Sequence, residues 1–208
     1  MRKYKLIFMK NTSITFNSEA FVTRITSFIW AVLLLLPLAI FAGQCNTRFV
    51  FHLLLFITGW LSWAYTEYFF HRFIMHEGNQ KKGLGKLMNH NHHHIDPEDI
   101  RVNGFHRFLM IGGSLLMIMY SITVDNYITL FCGYFIGFTL YSFMHLILHY
   151  KWSRRLFPDL HKFHISHHCK NTDSCFGVVI TWWDHLFGTV PVKHTEINER
   201  IKEFYYKK

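Results

Sequence analysis

The chain has 208 residues, half of them hydrophobic and 18% aromatic, and its mean hydropathy is only +0.12, so apolar blocks must alternate with polar ones. The net charge of +9 does not indicate nucleic-acid binding, because the basic residues flank apolar segments and form no stripe interleaved with aromatic residues. The four cysteines form no CxxC pair, so the sequence predicts neither a disulfide framework nor a thiolate zinc site.

Four apolar stretches are long enough to cross about 30 Å of hydrocarbon as helices. In chain order they cover 25–43, 49–70, 108–124 and 127–148. Short connections join the first to the second and the third to the fourth, as in membrane hairpins. We therefore predict an all-α, multi-pass membrane protein with four transmembrane helices, in which residues 1–208 form a single domain.

Lysine and arginine residues are distributed unevenly around these stretches. They cluster before the first stretch, between the second and third, and after the fourth, whereas the opposite side carries only Arg48. Because cytoplasmic flanks of membrane helices are enriched in positive charge, both termini and the long central connection are predicted to face the cytoplasm. The membrane would be a bacterial inner membrane or the endoplasmic reticulum.

The sixteen histidines are the most unusual feature of the composition, since imidazole is a common metal ligand. Ten of them form four clusters on the predicted cytoplasmic side. The clusters are His71 and His76 in HRFIMH, His90, His93 and His94 in NHNHHH, His145 and His149 in HLILH, and His164, His167 and His168 in HKFHISHH.

Helix geometry predicts which of these side chains point the same way. Residues three and four apart share a helix face, so His145 and His149 project together and each HxxHH cluster directs three imidazoles toward one region. His71 and His76 are five residues apart and do not share a face of an ideal α-helix. A helix end or a local distortion is therefore predicted between them.

The number and type of ligands favour a reactive centre with two metal ions. Imidazole without thiolate suits iron, zinc, copper or nickel, and ten ligands suit two ions with four or five nitrogens each. A structural zinc site needs four ligands and usually includes cysteine. Oxidation of an unactivated C–H bond by dioxygen is the chemistry that most needs such a centre. The alternatives are a non-catalytic membrane metal-binding protein and a scaffold stabilised by zinc.

Three carboxylates are candidates to assist the ligands. Glu67 lies at the apolar end of the second stretch, four residues before His71, where a carboxylate is costly and therefore a functional candidate. We expect Glu67 to accept a hydrogen bond from a ligand imidazole and so to fix its tautomer. Asp99 and Asp184 are similar candidates.

These motifs resemble those of the fatty acid hydroxylase and sterol desaturase superfamily of membrane non-haem di-iron enzymes. The pattern of that superfamily is HX(3–4)H, HXXHH, HXXXH and HXXHH, and all four boxes occur here in order within about 63–190. EYFFHRFIMH, the Pro97 and Asp99 that follow the second box, HHCKN and CFGVVITWWDHLFGT are most similar to the fatty acid 2-hydroxylase branch.

The resemblance implies a four-helix anchor beneath a helical cytosolic cap that holds two iron ions, with dioxygen as co-substrate. It also implies hydroxylation, next to the carbonyl, of an acyl lipid that lies in the membrane, and zinc can replace iron in isolated protein. No cytochrome b5 domain precedes the first stretch, so the expected electron donor is a separate cytochrome b5-like protein, ferredoxin or reductase. Sterol desaturases, sterol C-4 oxidases and carotenoid hydroxylases share the same boxes and remain alternatives.

Overall fold

The computed structural model describes residues 48–76, 90–97, 104–124, 127–191 and 197–206, apart from a few positions within them, together with some positions between Ile25 and Gln44. Within these ranges the chain forms helices and no strand, which confirms the all-α prediction for the part described. The elements are α1 (Arg48–Phe69), a π-helical segment that continues it (Phe70–His76), α2 (His90–Ile95), α3 (Gly104–Val124), α4 (Ile128–Ile147), α5 (Ser153–Leu156), α6 (Pro158–Cys169), α7 (Trp182–Leu186) and α8 (Glu199–Phe204).

Two helices of the described chain are long and apolar enough to cross a membrane. They are Arg48–His76, with 29 residues, and Ile128–Ile147, with 20 residues. At 1.5 Å per residue, 20 residues span about 30 Å, the thickness of the hydrocarbon layer. The apolar part of α3 is shorter, Arg107–Ser121, and the predicted stretch 25–43 lies largely outside the described residues. Two of the four predicted spans are thus helices of membrane-spanning length.

Glycines allow α1 and α4 to approach until their backbones touch. A Cβ atom on Gly59 would strike the carbonyl oxygen of Leu130, and one on Gly133 would strike the carbonyl oxygen of Phe56. Small residues at such positions are typical of helix pairs in membranes, where close van der Waals packing provides much of the attraction between helices. The pair is the most extensive helix–helix contact among the described elements.

The contacts along this pair show that α1 and α4 run in the same direction. Near the beginning of both helices, and far from the four histidine clusters, His52 Nδ1 lies 2.7 Å from Thr129 Oγ1. Farther along, the side chain of Trp63 packs against Gly137. Both helices therefore bring their histidines to the same end of the bundle.

Helix α3 lies against α4 in the opposite direction. The Ser114 and Thr139 hydroxyls are 3.1 Å apart, whereas Arg107, one turn or more earlier in α3, donates at 3.4 Å to the carbonyl of Ser142, which comes later in α4. The opposite face of α3 exposes a run of large apolar side chains, among them Leu115, Leu116 and Met119. An exposed apolar face of this kind suits contact with lipid.

We expect Gly133→Ala to destabilise the helix pair, because the added methyl group has no space beside the Phe56 carbonyl. Overpacking of this kind costs about 1–3 kcal/mol. Gly112→Ala in α3 is the matched control, since a Cβ there meets nothing within 4 Å. Thermal unfolding in detergent should show a lower midpoint for Gly133→Ala alone, and equal midpoints for the two variants would contradict the packing.

Candidate metal centre

The π-helical segment brings the two histidines of the first cluster together. His71 and His76 lie at positions i and i+5 of Phe70–His76, and the π-helix has the i→i+5 repeat that aligns such residues. Their ring centroids are 5.1 Å apart. The predicted local distortion between these two histidines is therefore confirmed, and its form is a wider helical turn.

The ten predicted ligands gather into two adjoining groups. The ligand atoms within each of two sets lie within 4.8 Å of one another. The first group consists of His71, His76, His90, His94 and His167, and the second of His93, His145, His149 and His168. His164 joins the second group, because its Nε2 atom is 3.0 Å from His149 Nε2. Each group therefore contains five imidazoles.

Each HxxHH cluster contributes to both groups, which corrects the expectation that its three imidazoles meet in one region. Residues four apart stay together: His90 and His94 lie in the first group, and His164 and His168 in the second. The adjacent pair His93–His94 divides between the groups, as does His167–His168. The reason is that neighbouring residues of a helix diverge by about 100°.

The two groups share a boundary of stacked and edge-on rings. The His94 and His168 centroids are 4.3 Å apart, and those of His90 and His93 are 5.7 Å apart. Two ions held by these groups would be neighbours, because ligands of one group contact ligands of the other. The arrangement is compatible with a centre of two neighbouring ions.

The spacing of the ring nitrogens fits coordination to a metal ion. Nε2–Nε2 distances within the groups are 2.9 Å for His71–His90, 3.0 Å for His90–His94 and 3.1 Å for His93–His149. Two imidazoles at right angles on one ion, each at about 2.1 Å, have their nitrogens about 3 Å apart. The imidazoles therefore stand at ligand spacing.

Backbone carbonyls fix the tautomer of three ligands. His71 Nδ1 lies 2.6 Å from the carbonyl oxygen of Phe176, and His167 Nδ1 lies 2.7 Å from that of Ser174. In the second group, His149 Nδ1 lies 2.9 Å from the carbonyl oxygen of Tyr205. A carbonyl only accepts hydrogen bonds, so Nδ1 carries the proton and the Nε2 lone pair points into the group. That tautomer leaves Nε2 free to bind a metal.

Other ring nitrogens of the second group are buried with no hydrogen-bond partner in the part of the chain described. They are Nε2 of His145 and both Nδ1 and Nε2 of His168. Buried polar atoms normally have partners, since an unsatisfied one costs about 1–3 kcal/mol. A metal ion bound by these Nε2 atoms would remove that cost, which supports the fit of the site to metal.

Burial keeps five of the imidazoles outside the long helices uncharged. It is the largest cause that lowers the pKa of His90, His94, His164 and His168 well below the usual value, and it lowers the pKa of His167 to about 3. Neighbouring imidazoles lower each pKa further, because two positive charges at this spacing repel. The site thus offers neutral ligands at physiological pH, as metal binding requires.

The predicted carboxylates contact the backbone rather than an imidazole. Glu67 Oε1 accepts a hydrogen bond from the amide of Val178 at 2.6 Å, and Asp184 accepts one from each of Phe176 and Gly177 at 2.8 Å. Loop amides need acceptors when buried, and these carboxylates supply them. Asp99 lies outside the described residues.

The groups that sequence reasoning missed are main-chain carbonyls. Those of Ser174, Phe176 and Tyr205 hold ligand imidazoles, yet a carbonyl is present at every residue and leaves no mark in a sequence. Gly177 gives the only hint in this loop, because a Cβ there would strike the carbonyl of Ile180. A glycine just after the last histidine box can mark close backbone packing, but it does not say what is packed.

Comparison with known proteins gives relatives whose names describe lipid hydroxylases. The chain is 27% identical over 150 residues to the ceramide very long chain fatty acid hydroxylase of Schizosaccharomyces pombe, covering 64% of this chain and 41% of that protein. It is 28% identical over 147 residues to a dihydroceramide fatty acyl 2-hydroxylase of Arabidopsis thaliana, covering 65% and 60%. A fatty acid 2-hydroxylase of Macaca fascicularis is 28% identical over 178 residues, with 81% and 45% covered.

The matched part of the chain spans less than two thirds of the length of each of these relatives. No solved structure matches the chain. The family model described as fatty acid hydroxylase matches residues 56–189, a range that includes all ten clustered histidines and more than half of the chain. With the histidine boxes in order, and their imidazoles gathered at one end of the helices, this match shows that the chain belongs to the fatty acid hydroxylase family.

Proposed function

We propose that this protein is a membrane-bound oxidoreductase that hydroxylates the acyl chain of a lipid, with two iron ions held by ten histidines. The observation that carries the proposal is the division of ten buried or half-buried imidazoles into two adjoining groups of five. A non-catalytic carrier or a structural zinc site needs fewer ligands and no such pairing. The family membership supports hydroxylation as the reaction.

The proposed topology has four transmembrane helices and a helical cytosolic cap, within one domain of residues 1–208. Its support is the parallel course of α1 and α4, the antiparallel course of α3, and the histidines at one end of the bundle. A further helix before α1 would bring the number of membrane crossings to four, and both termini would then lie on the same side as the histidines. The excess of Lys and Arg on that side supports a cytoplasmic location for it.

When bound, the two iron ions would supply the redox chemistry by which dioxygen, the co-substrate, oxidises a C–H bond. Zinc suits the same ligand set and can replace iron in isolated protein, but it has no redox chemistry. The imidazoles would hold the ions, and their burial shows that bulk water is largely excluded from the site. Insertion of one oxygen atom also consumes two electrons, so we propose a separate donor protein: cytochrome b5-like, a ferredoxin or a reductase.

The position of the site favours an acyl lipid as substrate. The two groups lie where the apolar helices end, so a lipid can approach from the bilayer while its head group stays in water. Trp183 packs edge-on against Tyr65 near the end of α1, with ring centroids 5.1 Å apart, and the neighbouring Trp182 is exposed. An exposed tryptophan beside a membrane helix is typical of the interface. The relatives' names add fatty acids and ceramides as the substrate class.

Two neighbouring histidines of α2 provide a matched test of the two-ion centre. His93→Ala should lose metal, because His93 belongs to the second group, whereas His92→Ala should keep it, since His92 is exposed. Elemental analysis of the purified protein should give about two ions per chain for the native protein and His92→Ala, and about one or fewer for His93→Ala. Equal metal content in both variants would contradict the assignment.

Lipid mass spectrometry tests the reaction itself. Cells that express the protein should contain lipids heavier by one oxygen atom, about 16 Da, in the acyl chain, and cells that express His93→Ala should not. Fragmentation locates the hydroxyl group, and the carbon next to the carbonyl is the expected position. A loss of two hydrogens, or an oxygen on a sterol or carotenoid, would overturn the acyl hydroxylase proposal and favour the corresponding alternative.

The metal-depleted protein should become less stable in acid between about pH 6.5 and pH 3. The folded state keeps His167 neutral because its pKa is lowered to about 3, whereas the unfolded chain takes up a proton near 6.5. Unfolding therefore binds protons in this window, and the free energy of unfolding falls by about 1.4 kcal/mol per pH unit for each such group. Urea unfolding at several pH values, with His167→Gln as control, should show a shallower pH dependence in the variant. Equal slopes would contradict it.

A further inference from the structure

The loop of residues 174–178, between α6 and α7, supplies the carbonyls that hold two ligands of the first group. Ser174 and Phe176 accept from the Nδ1 atoms of His167 and His71, as described above. Between them, Cys175 has a φ of 60°, the left-handed conformation that non-glycine residues rarely adopt. This turn lets the carbonyls on either side of it reach the same group of histidines. A loop bent in this way needs contacts that keep it in place.

The peptide group that joins Phe176 to Gly177 connects a carboxylate to a ligand. Its carbonyl accepts from His71 Nδ1 at 2.6 Å, and its N–H, on Gly177, donates to Asp184 Oδ2 at 2.8 Å. Because a peptide group is conjugated, a negative charge at the N–H end increases the negative charge on the carbonyl oxygen. The oxygen then accepts more strongly from Nδ1–H, and His71 Nε2 becomes a stronger donor to a metal.

Asp184 is itself held on several sides. It is fully buried, and Oδ1 accepts from the Phe176 amide and from the Thr189 hydroxyl, both at 2.8 Å. The Thr189 hydroxyl lies 3.3 Å from the Tyr68 hydroxyl, which accepts from the guanidinium of Arg72 at 2.7 Å. This chain of hydrogen bonds connects the buried carboxylate to a cation. It gives Asp184 a defined orientation beneath the loop.

Glu67 attaches the same loop to α1. Its Oε1 atom accepts from the Val178 amide at 2.6 Å, and His71, one helical turn later, donates to the Phe176 carbonyl. Two points of one helix thus contact two nearby points of the loop. The loop cannot slide along α1 without losing one of these hydrogen bonds.

We propose that Asp184 is a positioning residue of the metal centre, which acts on His71 through the Phe176–Gly177 peptide group, and that Glu67 secures the same loop. This inference rests on the proposed two-ion function. The loop carbonyls hold only His71 and His167, which both belong to the first group, whereas His149 of the second group is held by the carbonyl of Tyr205. Asp184 should therefore affect only the ion bound by the first group. Loss of Asp184 should therefore weaken one ion and spare the other.

Asp184→Asn tests the proposal in the full-length protein in detergent, loaded with cobalt(II) as the probe. The new amide has one oxygen and one amino group, and the amino group cannot accept from a backbone N–H. On addition of a chelator, one of two ions should leave about ten- to a hundredfold faster than from the native protein, while the other leaves at the native rate. The visible absorption of cobalt should also change for the faster ion. Asp173→Asn, an exposed site in the preceding turn, should behave as the native protein.

The outcomes separate this inference from the proposed function. Native release rates and an unchanged cobalt spectrum in Asp184→Asn would overturn the inference and leave the two-ion centre standing. A native protein that binds no cobalt would overturn the proposed function, and the inference with it. If Asp184→Asn does not fold, Thr189→Val provides the test, because it removes one hydrogen bond to the Asp184 carboxylate and leaves the charge of that carboxylate unchanged. Several-fold faster release of one ion supports the inference, and unchanged release overturns it.

Discussion

The structure depends on burying ten imidazoles, fully or in part, while their ring nitrogens share one small space. Burial removes water that would stabilise imidazolium, and neighbouring rings repel any second proton, so the pKa values of His167, His90 and His168 are lowered. Carbonyls complete the arrangement, because a proton held on Nδ1 cannot occupy the nitrogen that faces the group. The imidazoles thus have the form that metal binding needs: the carbonyls of Phe176, Ser174 and Tyr205 determine the tautomer, and burial determines the charge.

Ligands without charge leave the charge of the ions to be balanced elsewhere. Both groups of the described chain consist of histidine alone, and the two buried carboxylates nearby, Glu67 and Asp184, contact loop amides. A carboxylate bound directly to an imidazole would pull its proton most strongly, as in carboxylate–histidine–metal triads. One peptide group placed between them transmits part of that effect and also fixes the loop. The desolvation that raises the pKa of Asp184 is offset in part by its hydrogen bonds to Thr189, Gly177 and Phe176.

The sequence allowed the gathering of the clustered histidines to be predicted, but not their division between two groups. Cluster spacing identified all ten histidines that gather here, and the five-residue separation of His71 and His76 required a distortion that the π-helical segment provides. Neighbouring residues of a helix diverge by about 100°, but this divides the histidines between two groups only when the positions of the helix axes are known. Tertiary packing determines those positions. The direct carboxylate–imidazole contact expected for Glu67 was wrong, because a backbone amide can satisfy a carboxylate equally well. Of the four predicted spans, two are helices that are both long and apolar enough to cross a membrane in the part of the chain described.

The close contact of α1 and α4 determines the geometry of the centre from a distance. The first group takes two ligands from the end of α1, and the second takes His145 and His149 from the end of α4. A shift of one residue between the helices would move the two sets by about 1.5 Å, whereas metal–ligand distances tolerate about 0.2 Å. Gly59 and Gly133 bring each backbone against the other, so the helices have little freedom to slide. In the proposed metal centre, the glycines would therefore affect the chemistry without lying near it, because the helix pair sets the distance between the two groups of imidazoles.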